Sequence, residues 1–129
     1  MADKEIVRTE RAPAPFEGAP YNQAVTVDGF VFVAGQIGLA PDGSGMVGQG
    51  IREQTEQALQ NLSAILEEAG SSIDKLAKTT VFLQSLDDFA AMNEVYAKHV
   101  GDRPPARSTV EVARLPSGAL VEIDAIAHV

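Results

Sequence analysis

The tightest constraint on this chain is a mismatch between strands that want cover on two sides and helices enough for one. Along residues 30–37 and 79–84 both alternating sets of positions carry large apolar side chains, the pattern of strands buried on both faces. Only two segments show a helical period. Ile51, Thr55, Ala58, Leu59, Leu62, Ile65, Leu66 and Ala69 fall on one face of a helix running from about residue 50 to 69 and stopped by Gly70. Phe89, Met92, Val95, Tyr96 and Val100 mark the inward face of a second helix. That helix opens at Ser85-Leu86-Asp87-Asp88, which resembles a capping box, and ends at Gly101. Two helices cover one face of a sheet, so the other is left for self-association.

The remaining segments supply the strands. Ala24–Val27 and residues 30–37 flank Asp28-Gly29, a pair suited to a two-residue turn with positive φ, and so read as a β-hairpin. A short strand is expected at residues 5–8. The proline- and glycine-rich residues 12–20 read as a surface loop, as do residues 41–50. Residues 107–114 and 119–129 read as a closing hairpin joined at Leu115-Pro116-Ser117-Gly118. The order is strand, strand, strand, helix, strand, helix, strand, strand: an α+β fold with about five or six strands and two helices on one face. In the closing hairpin Arg107, Thr109 and Glu111 share one parity, as do Glu122 and Asp124 beyond the turn. These polar groups are expected on the face away from the helices, with Arg107 and Glu122 turned the same way.

Composition narrows the functions open to such a fold. A length of 129 residues suits one domain, 1–129, and 45% hydrophobic with 22% charged residues is the balance of a folded globular chain. Ten Lys and Arg against 18 Asp and Glu leave a net charge of -8, which argues against nucleic acid as the main partner. There is no cysteine, hence no disulfide, thiol nucleophile or thiolate metal site, a composition that fits the cytoplasm. The densest apolar run, residues 30–34, is far below the roughly 20 residues of a membrane span, so the chain is expected to be soluble and not exported.

Most local matches to chemical motifs have bland explanations. Gly43-Ser44-Gly45-Met46-Val47-Gly48 matches the letters of a dinucleotide-binding turn, but the repeated parallel strand–helix units of that fold are missing, and a surface loop explains it. His99 and His128 have no metal-like spacing and are expected at the surface. No serine joins a histidine and an acid in a recognisable triad motif. Arg107 remains, in Pro104-Pro105-Ala106-Arg107-Ser108. A guanidinium can grip a carboxylate with two parallel hydrogen bonds, and Glu122 could move a proton or orient water. From the pattern alone, a structural ion pair of Arg107 and Glu122 between subunits comes slightly ahead, because charged residues on strands are commonly paired for structural reasons. Tyr21, just after Pro20, reads as a packing aromatic sooner than as an acid.

Several segments together resemble the reactive-intermediate deaminase family, the RidA or YjgF type, over nearly the whole chain. These are Pro105-Ala106-Arg107-Ser108-Thr109-Val110-Glu111-Val112-Ala113-Arg114-Leu115-Pro116, Val121-Glu122-Ile123-Asp124-Ala125-Ile126-Ala127, Ala19-Pro20-Tyr21-Asn22-Gln23-Ala24, Gly35-Gln36-Ile37, Lys78-Thr79-Thr80-Val81-Phe82-Leu83 and Asn93 in Met92-Asn93-Glu94-Val95-Tyr96. The resemblance implies a chorismate-mutase-like α+β fold, a homotrimer with sheets facing inward, and ligand clefts between subunits. It also implies hydrolysis of 2-imino acids and their enamine tautomers to 2-keto acids and ammonia, without a cofactor. By position, Arg107 would bind the substrate carboxylate, Glu122 would orient water and relay a proton, and Tyr21 would close the cleft. Gly35 would allow close approach, while Asn93 would line the pocket. Two departures lie beside these positions: Thr109 stands where many members carry cysteine, and Ala34 replaces the usual serine. Both remain candidate substrate contacts. The rivals are a noncatalytic metabolite-binding or regulatory trimer and a ribonuclease.

Overall fold

A computed structural model describes residues 3–129, so Met1 and Ala2 of the N-terminal segment lie outside the described residues. Six strands form one mixed sheet: β1 (Glu5–Val7), β2 (Ala24–Val27), β3 (Phe30–Gln36), β4 (Leu76–Leu83), β5 (Ala106–Glu111) and β6 (Val121–His128), in the spatial order β1-β2-β3-β6-β4-β5. The helices are α1 (Ile51–Glu68) and α2 (Phe89–Val100). All neighbours run antiparallel except β4 and β5. The α+β class, the six strands and the sequence order of elements all match the expectation.

Local chemistry explains the main elements. Asp28 and Gly29 both take positive φ, 52° and 80°, as a tight turn between twisted strands demands, and Val27 pairs with Phe30 across it. On α1, Ala58, Leu59, Leu62, Ile65 and Leu66 have no exposed surface, and they pack on Val31, Val33, Ile123 and Ala125 of the sheet. The helix stops because Gly70, at φ 83°, donates to the Glu67 carbonyl while the Ser71 amide reaches back to the Leu66 carbonyl. Helix α2 is preceded by a 3₁₀ turn at Leu86–Asp88, where the Ser85 hydroxyl accepts from the Asp87 amide at 3.2 Å. Met92, Val95, Tyr96 and Val100 of α2 are buried as expected. Phe89 is not: it is 41% exposed, because it begins the helix at the edge of the sheet.

The closing hairpin is absent. Strand β6 instead inserts between β3 and β4, while β5 crosses over to pair in parallel with the outer side of β4. Burial demand accounts for this. Val121, Ile123, Ala125 and Ala127 of β6 are at most 4% exposed and need a central position, whereas β5 carries only Val110 as a large apolar residue and can occupy an edge. Strand β5 also ends at Glu111 rather than residue 114, and β4 begins three residues before the expected start, at Leu76.

This topology reverses the expected facing of the polar groups on β5. Arg107, Thr109 and Glu111 stand opposite Thr79, Val81 and Leu83, which are buried beneath the helices, so they turn toward the helix side of the sheet edge. Glu122 and Asp124 pair with Phe82 and Thr80 and turn the other way, as expected. On that open face Phe30 and Phe32 are 48% and 40% exposed, their rings 6.4 Å apart. No helix among the described residues is long and apolar enough to cross a membrane.

Candidate functional site

The candidate residues form two clusters, one on each side of the sheet. On the helix side, the Arg107 guanidinium carbon lies 4.8 Å from the centre of the Tyr96 ring and 5.5 Å from that of Phe89. Asn93 falls between those aromatics on the same helical face, four residues after one and three before the other. Its Oδ1 is buried without a hydrogen-bond partner. Thr109 lies two positions beyond Arg107 on the same face of β5. The ion pairs among the described residues join Arg11 to Glu67, Arg52 to Glu94 and His99 to Glu56, leaving Arg107 without a carboxylate. A planar cation seated on aromatic rings and free of an internal anion is prepared to take one from outside.

The second cluster surrounds Glu122 on the open face. Strand β3 slips register between Val33 and Gln36, an irregularity that sets Ala34 and Gly35 apart from the regular ladder. Gly35 is there because Glu122 fills the space a side chain would need: a Cβ at residue 35 would sit 2.6 Å from Glu122 Oε2. The close approach that Gly35 permits is thus made by the acid itself. Burial, and next the negative charge of Asp124, push the Glu122 carboxyl above the usual carboxylate range. Tyr21 closes the same cleft with Pro13, Phe16, Ile37 and Leu39, and its hydroxyl accepts from the Phe16 amide at 2.8 Å. Ala34 contributes backbone, donating to the Gln23 carbonyl at 2.9 Å and accepting from the Gln36 side chain at 3.1 Å.

The loop that carries Tyr21 is held by Gln23, which sequence reasoning left without a role. Its buried amide accepts from the Thr9 amide at 2.8 Å and donates to the carbonyls of Thr9, Ala12 and Pro13. A glutamine just before the strand residue Ala24 was the available signal. Tyr96 and Phe89, read from their spacing as packing residues, are also the supports of Arg107. The unexplained hydroxyl of Tyr96 in an apolar stripe could have drawn notice.

Arg107 and Glu122 do not meet within one chain. They face opposite sides of the sheet with β4 between their strands, and their register positions on β4, Thr79 and Phe82, are three residues apart. An ion pair between them inside the chain is excluded by this geometry. Elsewhere, the glycine-rich loop folds back on itself, with Leu39 bridging to Met46. It leads through α1 into β4, which runs parallel to β3, but the two strands are separated by the antiparallel β6 and do not form the adjacent parallel pair of a dinucleotide-binding unit. His99 is not a free surface group: it is partly buried and lies 2.9 Å from Glu56. Among the described residues, no three His, Asp or Glu side chains gather as a metal site.

A two-layer α+β chain with an unpaired arginine at one sheet edge and a half-buried acid in a cleft on the other face defines a small class of proteins. Residues 9–129 match the family described as Endoribonuclease L-PSP, and the chain belongs to that family, which includes the RutC and RidA/YjgF proteins. It is 50% identical to a RutC family protein of Pyrococcus abyssi over 97% of each chain. It is 42% identical to the 2-iminobutanoate/2-iminopropanoate deaminase of Mus musculus, over 96% of this chain and 90% of that one. Among solved structures, a putative endoribonuclease L-PSP from Entamoeba histolytica superimposes with a TM-score of 0.94 at 41% identity, covering 98% of this chain and 100% of that one.

Proposed function

We propose that the chain, working as one domain, hydrolyses small 2-imino acids and their enamine tautomers to 2-keto acids and ammonia. The observation that carries this reading is Arg107, held on two rings with no internal carboxylate to neutralise it. The mouse relative's name as an imino-acid deaminase supports the choice of reaction. Since Arg107 and Glu122 turn to opposite faces, the site is assembled between copies: the arginine edge of one subunit meets the Glu122 cleft of the next, in a homotrimer whose open sheet faces turn inward. The exposed Phe30 and Phe32 favour that burial.

In this site Arg107 binds the substrate carboxylate, and Asn93 and Thr109 line the pocket beside it. Ionised Glu122 takes a proton from water as the oxygen adds to the imine carbon, giving a tetrahedral carbinolamine. The acid then gives that proton to the nitrogen and, as the C–N bond breaks and the oxygen's electrons form the carbonyl, its carboxylate takes the carbinolamine's hydroxyl proton, so that ammonia leaves the 2-keto acid behind. A carboxyl whose affinity for protons is raised suits both halves of that exchange. Tyr21 closes the cleft over the reacting carbon. The imine is already an activated electrophile, so positioning supplies most of what the protein must add, and no cofactor is called for. A cysteine-free chain suits the cytoplasm, where we place this activity.

The test generates 2-iminopropanoate in situ with an amino-acid oxidase and competes semicarbazide trapping against the protein. The wild type should suppress trapping, and Arg107→Ala should lose hydrolysis while remaining trimeric by sedimentation. An unchanged rate in Arg107→Ala overturns the reading. Binding of 2-keto acids without turnover would instead identify a metabolite-binding trimer. The net charge of -8 opposes binding of an RNA backbone and weighs against the ribonuclease reading.

A further inference from the structure

We propose that Tyr96, tied through its hydroxyl to Thr79, is the positioning residue that fixes the Arg107 guanidinium for carboxylate binding. The inference rests on the reading of Arg107 as the carboxylate anchor. Three contacts close a ring around the arginine. Thr79 on β4 stands directly opposite Arg107 on β5. The Thr79 hydroxyl lies 2.7 Å from the Tyr96 hydroxyl, buried from solvent. The Tyr96 ring then supports the guanidinium at 4.8 Å. The strand ladder fixes where the arginine leaves the backbone, and the tethered ring fixes where its far end lies.

Neither hydroxyl is needed by the core. Thr79 has no exposed surface and occupies an inward row with Val81 and Leu83, where valine would fill the same volume. Tyr96 is 5% exposed in the apolar stripe of α2, where phenylalanine would pack as well. Each buried hydroxyl satisfies the other, and what the pair accomplishes beyond packing is to set the ring plane beneath the cation. An arginine side chain has several rotatable bonds, so an untethered guanidinium loses more freedom on binding and holds its ligand more weakly.

The test measures 2-oxobutanoate binding by calorimetry, steady-state KM and kcat, and the Arg107 Nε–H resonance in the unliganded protein. Tyr96→Leu should weaken 2-oxobutanoate binding about tenfold and raise KM by a similar factor, with kcat within about twofold. Its Arg107 Nε–H signal should move to the position of a freely solvated arginine. Tyr96→Phe and Thr79→Val should each weaken binding about two- to threefold, and the double variant should be no worse than either single one. If Tyr96→Leu fails to fold, this pair of variants carries the test. Wild-type binding and an unmoved Nε–H signal in the folded variants overturn the positioning role alone, provided Arg107→Ala abolishes binding. Equal binding by wild type and Arg107→Ala, or none by wild type, overturns the anchor and the positioning role together.

Discussion

Gly35→Ala isolates the geometry of the proposed acid from the stability of the fold. The added Cβ would lie 2.6 Å from Glu122 Oε2, 2.7 Å from its Cδ and 2.9 Å from its Cγ. To move from 2.6 Å to the 3.4 Å at which ordinary contact begins, the carboxyl oxygen must retreat 0.8 Å. The nearest obstacles all belong to the Glu122 side chain from Cγ outward and none to backbone, and Gly35 does not take a left-handed φ, so alanine is compatible with the strand once that side chain shifts. Stability should therefore change by less than about 1 kcal/mol. Catalysis has no such latitude: displacing a reacting group by about 1 Å can cost on the order of 100-fold, equivalent to about 2.7 kcal/mol of barrier. Steady-state imine hydrolysis should show kcat reduced about 10- to 100-fold with KM changed much less, because the added methyl presses on Glu122 and not on the Arg107 that, in the proposed site, anchors the carboxylate from a neighbouring copy. A folded variant with wild-type melting temperature and kcat within twofold would refute the reasoning. So would a loss of several kcal/mol in stability, which would mean that the backbone of β3, and not Glu122, yields.

Two further outcomes follow from individual groups. Folded Glu122 holds its proton more tightly than the unfolded chain does, so its own contribution to stability should fall as pH rises from the ordinary carboxylate value, about 4.5, through the raised one. Glu122→Gln removes that loss: its melting temperature relative to wild type should be higher at pH 7 than at pH 4, and an identical difference at both pH values would count against a desolvated acid. Buried Asn61 donates to the Ile37 and Leu39 carbonyls at 3.1 and 3.0 Å; the Ile37 carbonyl also accepts from the Leu39 amide at 2.9 Å, so Asn61→Leu leaves the Leu39 carbonyl as the unpaired acceptor beneath the Glu122 cleft. Urea unfolding should show a loss of about 1–3 kcal/mol, and a loss below about 0.5 kcal/mol would show that this carbonyl finds another partner.

Much of the fold is legible because local signals and burial agree. The helical spacing from Ile51 to Leu66 and the glycine at 70 each specify one outcome, as does the Asp28-Gly29 turn. The closing strands show where local signals mislead. Leu115-Pro116-Ser117-Gly118 has the chemistry of a turn, and Ser117 and Gly118 do take positive φ, 57° and 67°. A turn between two strands does not require that they pair. The choice is made by the four inward residues of β6, whose burial needs neighbours on both sides, and that demand is visible only when the whole sheet is assembled.

The same crossover decides what the site can be. In a hairpin, Arg107 and Glu122 would share a face on adjacent strands, and neutralising one another would be the simplest use of both. With β6 drawn into the centre and β5 sent to the edge, β4 separates them and the pleat turns them to opposite sides. Each is then left with an unmet demand: the arginine has rings beneath it but no anion, and the glutamate is pressed against Gly35 with only the like charge of Asp124 nearby. Two demands that one chain cannot reconcile would be met together in the proposed site, where the edge of one copy reaches the cleft of another with a small anionic electrophile between them. The residues of the proposed site can be picked out in a single sequence by motif, but a meeting between them cannot, because within one chain the sheet keeps them apart.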